Sequence, residues 1–410
     1  MSATSHSSSS SGNGVTGGSN PGQPGTPSLL RAINDRAALE LLLEQGPLSR
    51  SQLGGLTGLS KPTASQLLAR LESAGLVVPV GTTAGRPGPG AQLYEINPEA
   101  AFVAGLHVNP WRIRAAVADI TGQVVGEYRL ATPGRHAAGT VERVREAVSG
   151  AAEAAGLDPA VLGQVVIGTP GALDPTTGKL RYAPHLPGWH SPRLVAELTE
   201  GLGVPVALEN DVNLAAVAEQ RVGQARGVDD FVLLWVEDGV GAAVVLGGKL
   251  HRGHTGGAGE VGYMPLPGAP LVRNVRRENA GGFQMLTGAP AVLALAKEHG
   301  IGARTAPEAV ARAVQAAERG DDAMLAALAR RLATGLAAIV AVVDPELVLL
   351  SGDIPQAGGE RLRCLVQEEL TGLAVSRPRL GISTVEGSPV VVGALQSALA
   401  TARERVFSTH

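Results

Sequence analysis

The feature that most constrains this chain is a pattern that occurs twice. At about residue 102 and again at about residue 230 a hairpin-rich run of strands opens a segment that continues into helix and strand. The first copy reads FVAGLHV, RIRAAVADI and QVVGEYRL, and the second reads DFVLLWVED and GAAVVLGGKL. Apolar, β-branched runs broken by turn residues such as Asn-Pro and Asp-Gly read as strands. Further strands are predicted at GQVVIGTPG, PVALEND and ELVLLSGDI, with helices at about 140 to 155, 191 to 202, 212 to 221, 307 to 318, 322 to 343, 359 to 372 and 390 to 406. Strands alternating with helices demand an α/β architecture, and two similar openings predict two lobes.

The chain is long for one domain, with 410 residues, and predicts two or three. Aromatics are only 3%, so Leu, Val and Ala must fill the core of what reads as a soluble globular protein. A net charge of -3 gives no global pull toward nucleic acid, so any such affinity must come from a local patch. The single cysteine, Cys364, excludes an intrachain disulfide and a multi-cysteine zinc site, which fits a reducing cytoplasm. The first 27 residues are rich in Ser, Gly and Pro, lack the basic and apolar regions of a signal peptide, and read as a disordered tail. No run reaches ~18 consecutive apolar residues, so no membrane span is expected and the chain is expected to be cytoplasmic.

Ahead of the α/β region, Leu30, Ile33, Ala37 and Leu41 recur at helical spacing until Gly46-Pro47 stops them. A short helix from about Arg50 to Leu56, a Gly58-Leu59 turn and a longer helix from Ser60 then make a helix-turn-helix pattern. In the longer helix Ala64, Leu67, Leu68 and Leu71 face inward, while Pro62, Ser65, Gln66 and Ala69 lie opposite, with Lys61, Thr63 and Arg70 at the edges. Such a small, polar and basic face suits a major groove, and Ser60 as N-cap leaves N–H groups for a phosphate. VVPVG and AQLYEI form a wing whose loop carries Arg86 between Gly85 and Pro87, narrow enough for an A·T-rich minor groove. The expected DNA contacts are therefore Arg50, Ser60, Lys61, Pro62, Thr63, Ser65, Gln66, Arg70 and Arg86. The local charge is only weakly positive, so useful affinity calls for a dimer. The alternatives are a winged helix used for protein contacts and a plain three-helix bundle.

Five segments carry a family resemblance: GTPGALDPTTGKL at 168 to 180, APHLPGWHSPRLVAEL at 183 to 198, GVPVALENDVNLAAVAE at 203 to 219, LHRGHTGGAGEVGY at 250 to 263 and LVLLSGDI at 347 to 354. Together, in this order and spacing, they resemble the ROK family of repressors, open reading frames and kinases, over nearly all of the chain outside the tail. The resemblance implies an N-terminal winged helix-turn-helix, mainly α, followed by a two-lobed α/β actin-like ATPase (RNase H-like) domain. The expected divisions are a tail at 1–27, the DNA-binding module at 28–98, lobe I at 99–225 completed by a C-terminal helix at 386–406, and lobe II at 226–385.

The resemblance also implies functional positions. Asp211 in ENDVN matches the general base that activates a sugar hydroxyl in the family's kinases, with Asn210 beside it. The alternative is that Asp211 only caps the following helix. Glu260 matches a carboxylate that holds sugar hydroxyls. Three departures follow: Tyr263 replaces a histidine that touches sugar and ligates zinc, Gln284 replaces a second sugar-binding glutamate, and His185 replaces an asparagine. Val275, Arg277 and Gly282 fall where zinc-binding cysteines stand, so no metal is expected. Gly171, His185, Asn210, Asp211, Glu260, Tyr263 and Gln284 are the candidate carbohydrate contacts. Nucleotide binding in this fold needs glycine-rich hairpins, yet the first has His107, Asn109, Pro110 and Trp111, and the second has Glu237 and Asp238. The expectation is a sugar-responsive repressor with no enzymatic activity or cofactor, whose partners are an operator duplex, a carbohydrate effector and further copies of itself in a homodimer or homotetramer. An active kinase and a ligand-independent DNA-binding scaffold remain as alternatives. The helices at 322 to 343 and 390 to 406 could supply the subunit interface or simply pack on the sheets.

Overall fold

The computed structural model describes residues 27–82, 90–131, 139–181, 186, 188–273 and 281–408. The expectations placed on the tail, Arg86, His185, Val275 and Arg277 lie outside these residues.

The N-terminal module runs α1 (Pro27–Gln45), β1 (Leu48–Ser49), α2 (Arg50–Thr57), α3 (Lys61–Ser73), β2 (Val77–Thr82) and β3 (Gln92–Ile96). A capping box starts α2: Ser49 accepts from the Gln52 N–H, and the Gln52 side chain accepts from the Ser49 N–H at 2.9 Å. The chain leaves α2 through Gly58 in the left-handed region, and Ser60 caps α3. Ala64, Leu67, Leu68 and Leu71 are buried as their spacing predicts. Both strands of the wing pair antiparallel, and β1 adds to β3 as a third strand, too short to leave a sequence pattern. The core of this module also takes in Ile120 and Phe407 from the large domain, so the two are packed together rather than strung on a linker.

Lobe I contains β4 (Phe102–Val108), β5 (Arg112–Asp119), β6 (Val124–Ala131), α4 (Thr140–Ala154), β7 (Leu162–Thr169), the short pair β8 (Ala172–Leu173) and β9 (Leu180–Arg181), α5 (Leu194–Leu202), β10 (Val206–Asn210) and α6 (Asp211–Val222). Lobe II contains β11 (Phe231–Val236), β12 (Val240–Leu246), β13 (Lys249–Leu250), α7 (Gln284–Thr287), α8 (Ala289–Glu298), α9 (Ala306–Ala317), α10 (Ala323–Val343), β14 (Leu347–Ser351), α11 (Asp353–Leu373) and β15 (Arg379–Ile382). The final helix, α12 (Pro389–Ser408), returns to lobe I. The sheet orders are β10-β7-β4-β5-β6 and β13-β12-β11-β14-β15. In each the first strand is central, with an antiparallel hairpin on one side and two parallel strands on the other. The doubled opening in the sequence is thus a doubled sheet.

Several elements differ from the sequence reading. β15 is four residues, α8 lies in a stretch for which no element was predicted, and α11 starts at Asp353 rather than near 359, with a kink at Gly359 (φ 53°, ψ -154°) that matches the expected start. The two helices offered as a subunit interface spend their apolar faces internally. Leu325, Leu328, Leu332, Leu336 and Val340 of α10 lie in the lobe II core, and Val391, Leu395 and Leu399 of α12 lie against the lobe I sheet. By length and composition α10 could cross a membrane, but these side chains are the core of lobe II and Arg330 and Arg331 interrupt the run. α12 touches α6 backbone to backbone: a Cβ on Gly393 would sit 1.8 Å from the Leu214 carbonyl oxygen, so only glycine fits.

Candidate DNA-binding face and interlobe effector site

Arg50, Ser60, Lys61, Pro62, Thr63 and Gln66 are exposed on the helix-turn-helix, and Ser65 is half-buried. Ser60 and Thr63 share a hydroxyl hydrogen bond of 2.8 Å across the first turn of α3. Arg70 departs from the expected face. Its Nε donates to Asp35 Oδ2 at 2.9 Å and its Nη2 bonds Asp35 Oδ1, which raises the guanidinium pKa. Asp35 is 2% exposed on α1, and a buried carboxylate needs such a partner. The ion pair therefore fastens α3 to α1.

In the large domain, β10 delivers ENDVN to the lobe junction. Asn210 caps α6 by accepting from the Asn213 N–H at 3.0 Å, and its Nδ2 donates to the Gly171 carbonyl at 3.0 Å. The cap is thus Asn210, not Asp211. Freed of that duty, Asp211 accepts from the Val212 N–H at 2.8 Å, and burial pushes its carboxyl up to about 6. Glu260, which begins the 3-10 turn Val261–Tyr263 in lobe II, is pushed up to about 7 by burial and then by the charge of Asp211. Gln284 donates to the Gly281 carbonyl at 3.4 Å and its Oε1 lies beside Gly262, next to the half-buried Tyr263. Gly171, Asn210, Asp211 and Glu260 are therefore linked across the junction, with Tyr263 and Gln284 at its lobe II corner. The sequence reading missed Glu209 and Arg252. Glu209 accepts from Asn210 N and Asn213 Nδ2 at 3.0 and 2.9 Å and takes the Arg252 Nε at 2.7 Å, an ion pair that crosses between lobes. The signal was present in the glutamate that opens ENDVN.

The two hairpins use their backbone donors in different ways. In the first, Asn109 Oδ1 accepts from the N–H groups of Trp111 and Arg112 at 3.1 and 2.9 Å, and Pro110 has no N–H to offer. The turn consumes its own donors, and Trp111 stands 67% exposed at the tip. His107 faces Arg114 across β4 and β5, and burial, then Arg114 and Arg112, lower it to about 4. In the second, the Glu237 carboxylate accepts from the Asp353 N–H at 3.3 Å, the first residue of α11. Burial and then Asp353 push Glu237 up to about 7, with Asp211 and Asp238 adding to the effect. A carboxylate thus takes the helix N-terminus that a phosphate would otherwise use.

A family model described as ROK family matches residues 103–397, and one described as winged helix-turn-helix DNA-binding matches residues 31–78. The chain belongs to the ROK family. A xylose repressor of Caldicellulosiruptor bescii is 24% identical over 388 residues, covering 90% of this chain and 96% of that protein. A solved ROK family transcriptional regulator, described as a homologue of the E. coli MLC protein, superposes with a TM-score of 0.71 at 18% identity over 93% of this chain and 100% of its own. A ROK family glucokinase from Streptomyces griseus, solved with glucose and AMPPNP, gives a TM-score of 0.58 at 26% identity, with 72% of this chain covering 99% of the kinase. About a quarter of this ROK chain is therefore additional to a kinase, and the winged helix lies ahead of the matched ROK segment.

Proposed function

We propose that this ROK protein is a transcriptional repressor that binds an operator duplex through its winged helix and answers to a carbohydrate between its lobes, without phosphorylating it. The observation that carries this reading is the asymmetry of the cleft. The backbone donors of the first hairpin are bonded to Asn109, and Glu237 sits on the α11 N-terminus, whereas Asn210, Asp211 and Glu260 remain linked at the junction. With its carboxyl near 7, Glu260 is partly protonated at neutral pH and can donate as well as accept, while Asp211, near 6, is mostly ionised and accepts, a pairing that suits neutral sugar hydroxyls. The similarity to a xylose repressor over nearly the whole chain supports the regulatory role.

On the DNA side the contacts are assigned to Arg50, Ser60, Lys61, Pro62, Thr63, Ser65 and Gln66, with Arg86 assigned to the minor groove. A symmetric dimer presenting two such faces would read paired half-sites. The test is a titration of the full chain against a duplex from its own promoter region, followed by a panel of pentoses, hexoses and amino sugars. Release or tightening by one sugar, with no ATP consumed, is the expected result. Sugar-dependent ATP consumption that Asp211→Asn abolishes would make the protein a kinase instead, and indifference to every sugar would leave a DNA-binding scaffold.

A further inference from the structure

The N-terminal module holds a groove of about 660 Å³ between the starts of α2 and α3 and the stem of the wing. Arg50, Ser51, Lys61, Ser65, Gln92 and Tyr94 contribute to its walls, and Glu72 is the one acidic residue among its described lining. Arg50 is exposed, yet its side chain is held: Nη2 donates to the Tyr94 hydroxyl at 2.5 Å, and the guanidinium carbon lies 5.4 Å from the centre of the Tyr94 ring. Tyr94 itself is 3% exposed. It sits in the middle strand of the small sheet, opposite Leu48 on one side and Pro79 on the other, so it is a fixed anchor. The capping box of Ser49 and Gln52 fixes the backbone immediately before Arg50.

We infer that this groove seats a phosphate of the DNA backbone and that Tyr94 is a positioning residue that holds Arg50 ready for it. The inference rests on the DNA-binding reading above and adds to it a residue outside the recognition helix. A free arginine loses much side-chain freedom when it is fixed in a complex, and prior restraint removes part of that cost. The guanidinium keeps further N–H groups beyond the one given to Tyr94, and no carboxylate ion pair is found for Arg50 among the described residues. Its planar fork matches phosphate oxygens, while the Lys61 ammonium and the Ser51 and Ser65 hydroxyls bring further donors to the same groove. Donors from a helix start and a strand of the wing meet here, so a phosphate would bridge the two halves of the module.

The experiment measures binding of the full chain to two duplexes, one from its own promoter region and one of random sequence, across a potassium chloride series. Arg50→Ala should weaken both about tenfold and lower the slope of log K against log salt by about one. Tyr94→Phe keeps the ring and the core, so melting should stay unchanged while affinity falls several-fold on both duplexes. In the Arg50→Ala background Tyr94→Phe should have no further effect, and Arg50→Lys should not restore wild-type binding. A Tyr94→Phe effect that is absent, or that persists without Arg50, overturns the positioning role. A loss confined to the promoter duplex overturns the phosphate assignment in favour of a base contact. If Arg50→Ala changes neither affinity nor slope, the assignment of α2 to DNA falls and this inference falls with it.

Discussion

Glu237→Gln isolates the charge that stands on the α11 N-terminus. The groups around it are Asp353 of α11, Asp211 of α6, Asp238 of its own hairpin, and Arg114 of β5, which senses both Asp353 and Glu237 from the other lobe. Its carboxyl is pushed from the ordinary 4.5 to about 7, so between those values the folded protein keeps a proton that the unfolded chain has released. The sign follows from proton binding: Glu237 costs no stability well below pH 4.5, and its full penalty is reached above about pH 7. From those two values the penalty is roughly 3 kcal/mol at pH 8 and roughly 1 kcal/mol at pH 5. Glutamine retains the oxygen that accepts from the Asp353 N–H and removes the charge. At about 2 to 4 °C per kcal/mol for a lobe of this size, the variant should melt about 6 to 12 °C higher than the wild type at pH 8 and only about 2 to 4 °C higher at pH 5. Scanning calorimetry of the full chain at the two pH values reads the difference directly. Equal shifts at both would refute the buried-carboxyl argument. A lower melting point at pH 8 would show instead that Glu237 is ionised and paired with Arg114 across the cleft.

Two further variants test the structural assignments. Arg70→Ala should destabilise the winged helix by about 1 to 3 kcal/mol, because it leaves Asp35 buried and unpaired, and should leave the DNA salt slope unchanged. Hydrogen exchange at α1 and α3 amides checks the first, and a reduced slope would return Arg70 to the DNA-binding face. Phe407→Ala removes a 5% exposed side chain from the core shared by the winged helix and α12, a change worth about 3 to 5 kcal/mol in a typical core. DNA binding should persist while the sugar response weakens, and an undiminished response would mean that the signal bypasses α12.

Much of this architecture was legible because it rests on local periodicity. The inward stripe of α3, the Ser60 cap and the strands of both openings are set by spacing and turn chemistry, and the two sheets follow from repeating one opening. What stayed hidden depends on partners distant in sequence. Arg70 lies at the edge of the polar face of α3 by periodicity, but the residue that claims it is Asp35, 35 positions away on another helix. Capping was the alternative for Asp211 because it follows a strand and opens a helix, yet the neighbouring asparagine has the geometry to cap α6 while also reaching Gly171. Arg252 and Glu209, 43 positions apart, join only once the two lobes are folded. For the first hairpin, Pro110 announces one missing N–H, but not that Asn109 accepts from the N–H groups of Trp111 and Arg112.

The same long-range contacts connect the proposed effector site to the winged helix. Asn210 and Asp211 head α6, and α6 meets α12 at the Leu214–Gly393 contact, where backbones touch and no side chain can cushion a displacement. α12 then runs along the lobe I sheet and ends with Phe407 inside the core of the winged helix, beside Ile120 from the turn after β5. Asp211 and Glu260 come from different lobes, as do Glu209 and Arg252, so the proposed ligand, in drawing Asp211 and Glu260 together, would move one lobe against the other. Interfaces this tightly packed shift as units rather than deform. The winged helix therefore sits on an element that packs against α6 and so against the proposed effector site, the coupling a ligand-responsive repressor needs.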